Sequence, residues 1–326
     1  MATNRTVVLI PDTMDGAGAD LLRARADLEV RTCSPGLTGE ELRPLLSDVA
    51  AVALSVTPLR ESEIAAAPAL RVVARLGVGY DAVDVPTLTL RGIPLMTTGT
   101  ANSTSVAEAA LSALLALAKR HLTLDRLVRE GRWAERASYL PAEVAARTVL
   151  VVGFGRIGAR MARRCVALEM RTLVYDPHVA QAPIGAMGAI AVRDLDAALP
   201  DADYVTLHCP KTAETTGLMD ARRIALMKTG AMLINTARGG IVDERALFDA
   251  LSSDHLAGAG LDVFALEPAD PGHPLLRLDT VLCAPHLAGV TVESTAAMAA
   301  TAARNILSVL DGTPDVANVV NWSIYE

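Results

Sequence analysis

Short runs of aliphatic and β-branched residues alternate along this chain with longer stretches whose apolar residues recur at helical spacing. Before residue 100 the strand-like runs are Val7–Ile10, Leu28–Thr32, Val49–Val56, Arg71–Leu76 and Ile93–Thr97, with segments such as GADLLRARA and ESEIAAAPAL between them. That alternation predicts a parallel sheet with helical crossovers, a small domain in its own right. In the next stretch, STSVAEAALSALLALAKR, Ser105 and Glu108 stand at capping-box spacing ahead of a helical run. Its near-continuous apolarity predicts a helix buried between domains. From residue 147 the alternation resumes, with strands expected at 148–152, 172–175, 203–208, 231–236, 258–263 and 280–284. Six is the strand count of a complete doubly wound sheet. The final helical run, TVESTAAMAATAARNILSVLDG, lies beyond that sheet and is expected to return to the first domain. The division predicted is 1–102 and 289–326 for one domain, with 103–288 inserted between them.

Composition agrees with two cores. A chain of 326 residues exceeds the usual single domain, and 51% apolar against 21% charged residues allows large interiors. Aromatics are only 3%, so the cores must be Ala, Val and Leu, which suits parallel strands under helices. A net charge of −7 with no basic block gives no footprint for nucleic acid. No apolar run reaches the ~18–20 residues of a membrane span, and MATNRTVVLIPD enters a strand without the marks of a signal peptide. Cys33, Cys165, Cys209 and Cys283 are scattered without a CxxC pair. No disulfide framework or metal site is expected, only reduced and mostly buried thiols. The expectation is a cytoplasmic protein.

The stretch VLVVGFGRIG raises the question of chemistry. Gly153, Gly155 and Gly158 form G-x-G-x-x-G between a strand and a helix. The first glycine permits the tight turn, the second lets a pyrophosphate approach, and the third allows close helix–strand packing. The anion then meets the positive end of the helix dipole. Glycine turns are common, and Asp176 in LVYDP gives this one weight. A carboxylate there accepts hydrogen bonds from the adenosine ribose and repels a 2′-phosphate, so the cofactor expected is NAD rather than NADP.

Three polar residues follow three successive strands: Arg238 in LINTARGG, Glu267 in GLDVFALEP and His286 in VLCAPHLAG. Carboxyl ends of strands form the ligand crevice of an open α/β sheet. His286 can pass a proton to or from a substrate oxygen while hydride moves. Glu267 would fix its tautomer and favour the imidazolium, and Arg238 offers a planar fork for a carboxylate. Singly, each could be an ion pair, a solvated turn or a structural histidine; together they point to catalysis. His208 and Cys209 are expected to line the cofactor cleft without reacting. His121, His178, His255 and His273 are expected at the surface, and Trp133 as a packing anchor. In the first domain RLGVGYD ends a strand with two glycines, which would leave the amides of Leu76–Gly79 as a carboxylate nest, or make a plain turn.

VVGFGRIG, YDP, HCPKTAETTGLM, NTARGGIVDE, GAGLDVFALEP and PHLAG resemble the D-isomer-specific 2-hydroxyacid dehydrogenases, from about residue 70 to 310 and including RLGVGYDAVD and TSVAEAAL. The resemblance implies an α/β fold of two doubly wound parallel-sheet domains, a Rossmann NAD-binding domain inserted into a flavodoxin-like substrate domain. It implies a catalytic set at Arg238, Glu267 and His286, an active site in a cleft between domains, and a homodimer built through the nucleotide domains. It extends the cofactor contacts to Arg156, Ile157, Cys209 and Pro210, and further to Thr215, Ala237 and Asp262. The substrate contacts it implies are Arg75, Leu76, Gly77, Val78 and Gly79, with Arg238. By motif the phosphoglycerate dehydrogenases stand nearest, then the glyoxylate and hydroxypyruvate reductases. The chain departs from the former in ending near residue 326, without the regulatory domain many carry, and in having Ala82 where Asn is common. Formate dehydrogenases typically carry Gln at the position of Glu267. The alternative is an NAD-sensing, non-catalytic interaction protein like the C-terminal-binding corepressors, which share these motifs.

Overall fold

The structure, a computed structural model, describes residues 5–14 and 16–326. The chain forms two compact units, one of Met1–Asn102 with Val290–Glu326 and the other of Ser103–Gly289.

In the first unit, strands β1 (Thr6–Pro11), β2 (Leu28–Cys33), β3 (Val49–Leu54), β4 (Val72–Arg75) and β5 (Leu95–Met96) lie in the order β2-β1-β3-β4-β5. All pair in parallel, which is the flavodoxin-like doubly wound order. Side chains alternate across a strand, so Val7 and Leu9 enter one core while Val8 and Ile10 enter the other. The helix Val292–Leu310 closes the second core with Ala299, Ala302, Ala303 and Ile306. It begins at a Thr291/Ser294 capping box and approaches so closely that a Cβ on Gly18 would stand 2.6 Å from the Ala299 carbonyl carbon. Asn305, 2% exposed, donates from Nδ2 to the Thr97 carbonyl at 2.9 Å.

The second unit holds β6 (Thr148–Val152), β7 (Arg171–Tyr175), β8 (Ile190–Val192), β9 (Tyr204–Leu207), β10 (Ala231–Asn235), β11 (Leu256–Leu261) and β12 (Val281–Cys283). Their order is β12-β11-β10-β9-β6-β7-β8, all parallel. The direction of winding reverses between β6 and β9, which sets the ligand crevice there. All eleven strands expected from the pattern are present. The count of six for this sheet is corrected to seven, because β8 was not foreseen. It is a three-residue edge strand with no buried residue, so it carries neither a continuous apolar run nor an alternation.

The helix Ser103–Ala118 starts two residues before Ser105, which corrects the expected capping box. Asn102 to Ser105 offer several competing polar residues, and the pattern could not rank them. Glu108 lies mid-helix and accepts from Arg164 Nη2 at 2.9 Å. The helix rides close to β11 because Gly260 has no side chain; a Cβ there would meet Ala113 Cβ at 3.0 Å. Two further expectations are corrected. Trp133 is 62% exposed in a short 3-10 helix with no buried residue, with the Arg136 guanidinium carbon 5.6 Å from its ring centroid. Of the four free cysteines only Cys165 is buried, and Cys283, on edge strand β12, is exposed. Among the described residues no helix is long and apolar enough to cross a membrane.

Candidate active site

β6 ends in the glycine turn. Gly153 takes φ +95° and donates from its amide to the Tyr175 carbonyl at 2.8 Å. A Cβ on Gly153 would stand 2.7 Å from the Cys209 amide nitrogen, and one on Gly158 would overlap the Gly153 carbonyl oxygen. A Cβ on Gly155 would meet nothing within 4 Å. Two glycines are therefore imposed by packing, and the third faces open space of the kind a pyrophosphate needs. The helix Gly158–Ala167 starts there with no side-chain cap. Its Ala159 amide bonds back to the Gly155 carbonyl at 3.0 Å, and the positive end of its dipole favours an anion at the turn. Asp176 stands directly beside the turn. Its Oδ2 accepts from the Phe154 amide at 2.7 Å and its Oδ1 from the His178 amide at 2.9 Å.

β9, next to β6, delivers His208, Cys209 and Pro210. His208 Nε2 lies 2.9 Å from Thr206 Oγ1, while Nδ1 is buried without a partner. Burial pushes this imidazole down to about 4, so it is neutral at pH 7. Burial likewise pushes the Cys209 thiol up to about 11. At the end of the neighbouring β10, the Thr236 hydroxyl is also buried and unpartnered. Orphaned polar atoms at two adjacent strand ends, beside an open glycine turn, fit a dinucleotide. The Thr215 hydroxyl donates to the Pro210 carbonyl at 2.6 Å and so shapes its own loop.

Arg238, Glu267 and His286 follow β10, β11 and β12, three neighbours at one side of the sheet. His286 Nδ1 lies 2.6 Å from Glu267 Oε2, and Glu267 Oε1 accepts from the Phe264 amide at 3.0 Å. With an ionised carboxylate there, Nδ1 carries the proton and Nε2 is the nitrogen left for a substrate. His286 itself sits in the left-handed region at φ +57°, a conformation that surroundings must enforce. The enforcer is Asp262, only 4% exposed. Its carbonyl accepts from the His286 amide at 2.8 Å, and its carboxylate accepts from Leu287 at 2.8 Å and Ala288 at 2.9 Å. Burial pushes the Asp262 carboxyl up, with those amides and His286 pulling the other way. Arg238 Nη1 donates to the Ala237 carbonyl at 2.7 Å.

The family model for the D-isomer specific 2-hydroxyacid dehydrogenase NAD binding domain matches residues 111–288. The chain belongs to the D-isomer specific 2-hydroxyacid dehydrogenase family. It is 38% identical over 316 residues to the D-3-phosphoglycerate dehydrogenase of Archaeoglobus fulgidus, covering 96% of this chain and 59% of that protein. It therefore spans little more than half of that relative's length. Against the glyoxylate reductase of Korarchaeum cryptofilum the identity is 39%, with 82% of each chain covered. The solved TT0316 protein from Thermus thermophilus superposes with a TM-score of 0.89 at 34% identity, covering 97% of this chain and all of that one.

As expected of this family, the second unit is an NAD-binding domain. Sequence reading missed Asn235, 2% exposed, whose Oδ1 accepts from the Ala237 amide and whose Nδ2 donates to the Arg238 carbonyl, both at 3.0 Å. An Asn closing a strand before a turn is a readable signal for such a clamp. One detail of the first-unit loop is corrected. The Leu76 amide continues the sheet ladder to the Leu54 carbonyl at 2.8 Å, so it cannot serve a nest. The amides of Gly77, Val78 and Gly79 take no acceptor among the described residues. Arg75, 8% exposed, donates from Nε to the Gly79 carbonyl at 3.1 Å and braces this loop from beneath. His121 and His178 are exposed, whereas His255 Nε2 lies 3.1 Å from the Ile224 carbonyl.

Proposed function

We propose that the chain is an NAD-dependent oxidoreductase that interconverts a small D-2-hydroxy acid and its 2-oxo acid. The 2.6 Å contact of His286 with Glu267, on neighbouring strand ends of an NAD-binding sheet, carries the reading. Bound NADH supplies the hydride for reduction, and NAD⁺ takes it in oxidation. His286 Nε2 gives the proton to the carbonyl oxygen, or removes it from the hydroxyl in the reverse direction. Glu267 holds the ring in the tautomer this requires and stabilises the imidazolium. Arg238 offers a fork to the substrate carboxylate. The first unit, taken by itself, has a loop whose Gly77–Gly79 amides are open to an anion. Asp176, held against the glycine turn, supports NAD over NADP.

The same reading takes the protein as a cytoplasmic homodimer joined through the NAD-binding unit. Four free thiols support a reducing compartment. Leu122, Val128, Trp133 and Leu140, 54–73% exposed along one segment of the second unit, support the interface. Light scattering of Trp133→Glu against the parent chain tests it.

The functional test is oxidation of NADH and of NADPH with a panel of 2-oxo acids, their methyl esters and simple ketones. Acids should turn over and esters hardly at all. Hydrogen bonds to a charged acceptor are worth about 1.5–3 kcal/mol, so NADH should be preferred by about one to two decades. Equal turnover of an acid and its ester refutes the carboxylate anchor. If no 2-oxo acid is reduced, the interaction-protein alternative stands in its place.

A further inference from the structure

The second unit contains another carboxylate–imidazole pair, Glu244 with His273. Glu244 opens the helix Glu244–Ser252, which follows the Arg238 loop. Its Oε2 lies 3.2 Å from His273 Nε2, and its Oε1 accepts from the Ala265 amide at 2.6 Å. The side chains are 18% and 23% exposed, so this is no solvated surface pair. His273 Nδ1 accepts from the Leu275 amide at 3.3 Å. The neutral ring therefore carries its proton on Nε2 and donates it to Glu244. The same ring stands edge-on to Phe264, with centroids 6.0 Å apart.

Phe264 and Ala265 begin the short loop that ends in Glu267, and the Phe264 amide donates to Glu267 Oε1. That loop is gripped from both sides. Glu244 and His273 hold it on one flank, and on the other Gly239 lies so close that a Cβ would overlap the Phe264 carbonyl oxygen. One carboxylate thus ties the helix after Arg238 to the loop bearing Glu267. We propose that Glu244 and His273 are positioning residues for the reaction, fixing this loop so that Glu267 presents Oε2 to His286. The inference rests on the function proposed above and deepens it.

The test uses Glu244→Ala, Glu244→Gln and His273→Gln in the full chain. Misplacing a catalytic group by a fraction of an ångström to one ångström costs about 10–100-fold in rate. Glu244→Ala should therefore lower kcat by about that factor, while the affinity for NADH stays within about twofold, because the pair makes no contact with the glycine turn. His273→Gln keeps a donor for Glu244 and should recover most of the rate. Glu244→Gln keeps an acceptor for the Ala265 amide but sets its NH2 against the His273 N–H, so it should recover the rate only in part. A readout free of turnover is the nitrogen-15 ring spectrum of His286, assigned with His286→Gln. The parent chain should show the Nδ1-protonated tautomer, and Glu244→Ala a mixture of both. If Glu244→Ala does not fold, His273→Ala is read in its place. An unchanged His286 tautomer overturns the inference, as does a fall in kcat matched by an equal loss of NADH affinity. A parent chain that reduces no 2-oxo acid overturns the proposed function instead, and the ring spectrum still decides whether the pair positions Glu267.

Discussion

After β4 the chain runs through Gly77 and Gly79, and after β6 it runs through Gly153, Gly155 and Gly158. In the second turn, backbone from β9 and from the turn itself fills the space a Cβ would take at Gly153 and Gly158. In the first, a Cβ on Gly77 would meet nothing within 4 Å. The later turn is a cradle packed by the backbone of its neighbour β9, and the earlier one is a loop whose Gly77–Gly79 amides are open. Glycine is thus spent in two ways, to let elements touch and to leave peptide groups bare. The two edges should answer mutation differently.

The largest effect should come from the side-chain edge. His286→Gln keeps a polar group after β12 but cannot shuttle the proton, so 2-oxo acid reduction should fall by about 10²–10⁴-fold. Steady-state rates at saturating NADH check this, and a loss under tenfold would remove His286 from the chemistry. Next come the cradle's own glycines. Gly158→Ala forces a Cβ onto the Gly153 carbonyl, and overpacking of this kind costs about 1–3 kcal/mol. Both the melting temperature and NADH affinity should drop. Gly155→Ala should melt like the parent chain yet bind NADH at least about tenfold more weakly, a loss of roughly 1.4 kcal/mol. Calorimetry with and without NADH separates the two variants, and equal melting losses would mean that Gly155 is structural as well.

A smaller effect concerns acid. His208 is held neutral by burial, with its titration pushed from 6.5 to about 4. The unfolded chain therefore binds a proton that the folded chain refuses. The contribution of this site is whole above the ordinary histidine value and is lost as pH falls toward about 4. Between pH 7 and pH 5 the loss should be about 2 kcal/mol, and His208→Gln should show a flatter pH dependence in urea melts. A variant with the parent's slope would mean that His208 is not the acid-sensitive group. The smallest effect belongs to the amide loop. Val78→Ala leaves the peptide groups in place and should change the substrate KM by no more than about threefold, under roughly 0.7 kcal/mol. A tenfold change would show that the loop works through its side chain.

Most strands and the three polar residues after β10, β11 and β12 were legible, because burial on both faces writes continuous apolar runs and strand ends follow from them. β8 was not, since an exposed three-residue edge strand has nothing to bury. The capping of Ser103–Ala118 was misread where several polar residues compete within one turn. The glycine motif was readable as a string, yet only the folded chain separates Gly158, which packing imposes, from Gly155, which it leaves open. Asp262 was named as a cofactor contact, while its two amide bonds to Leu287 and Ala288 join residues far apart in the sequence. No local spacing encodes such a bond. The same holds for Leu76, whose amide is consumed by a strand more than twenty residues away.

The helix Val292–Leu310 leaves the ribosome only after all of Ser103–Gly289 has been made. At synthesis rates of about 5–20 residues per second, the first sheet waits on the order of ten to forty seconds for the helix that completes one of its cores. Through that interval Val8, Ile10, Val72 and Ala74 lack the Ala299–Ile306 face that covers them in the finished chain. The inserted unit, whose strands and helices are all contiguous, can finish first. In this topology the first sheet's second core can close only after the inserted unit has been synthesised.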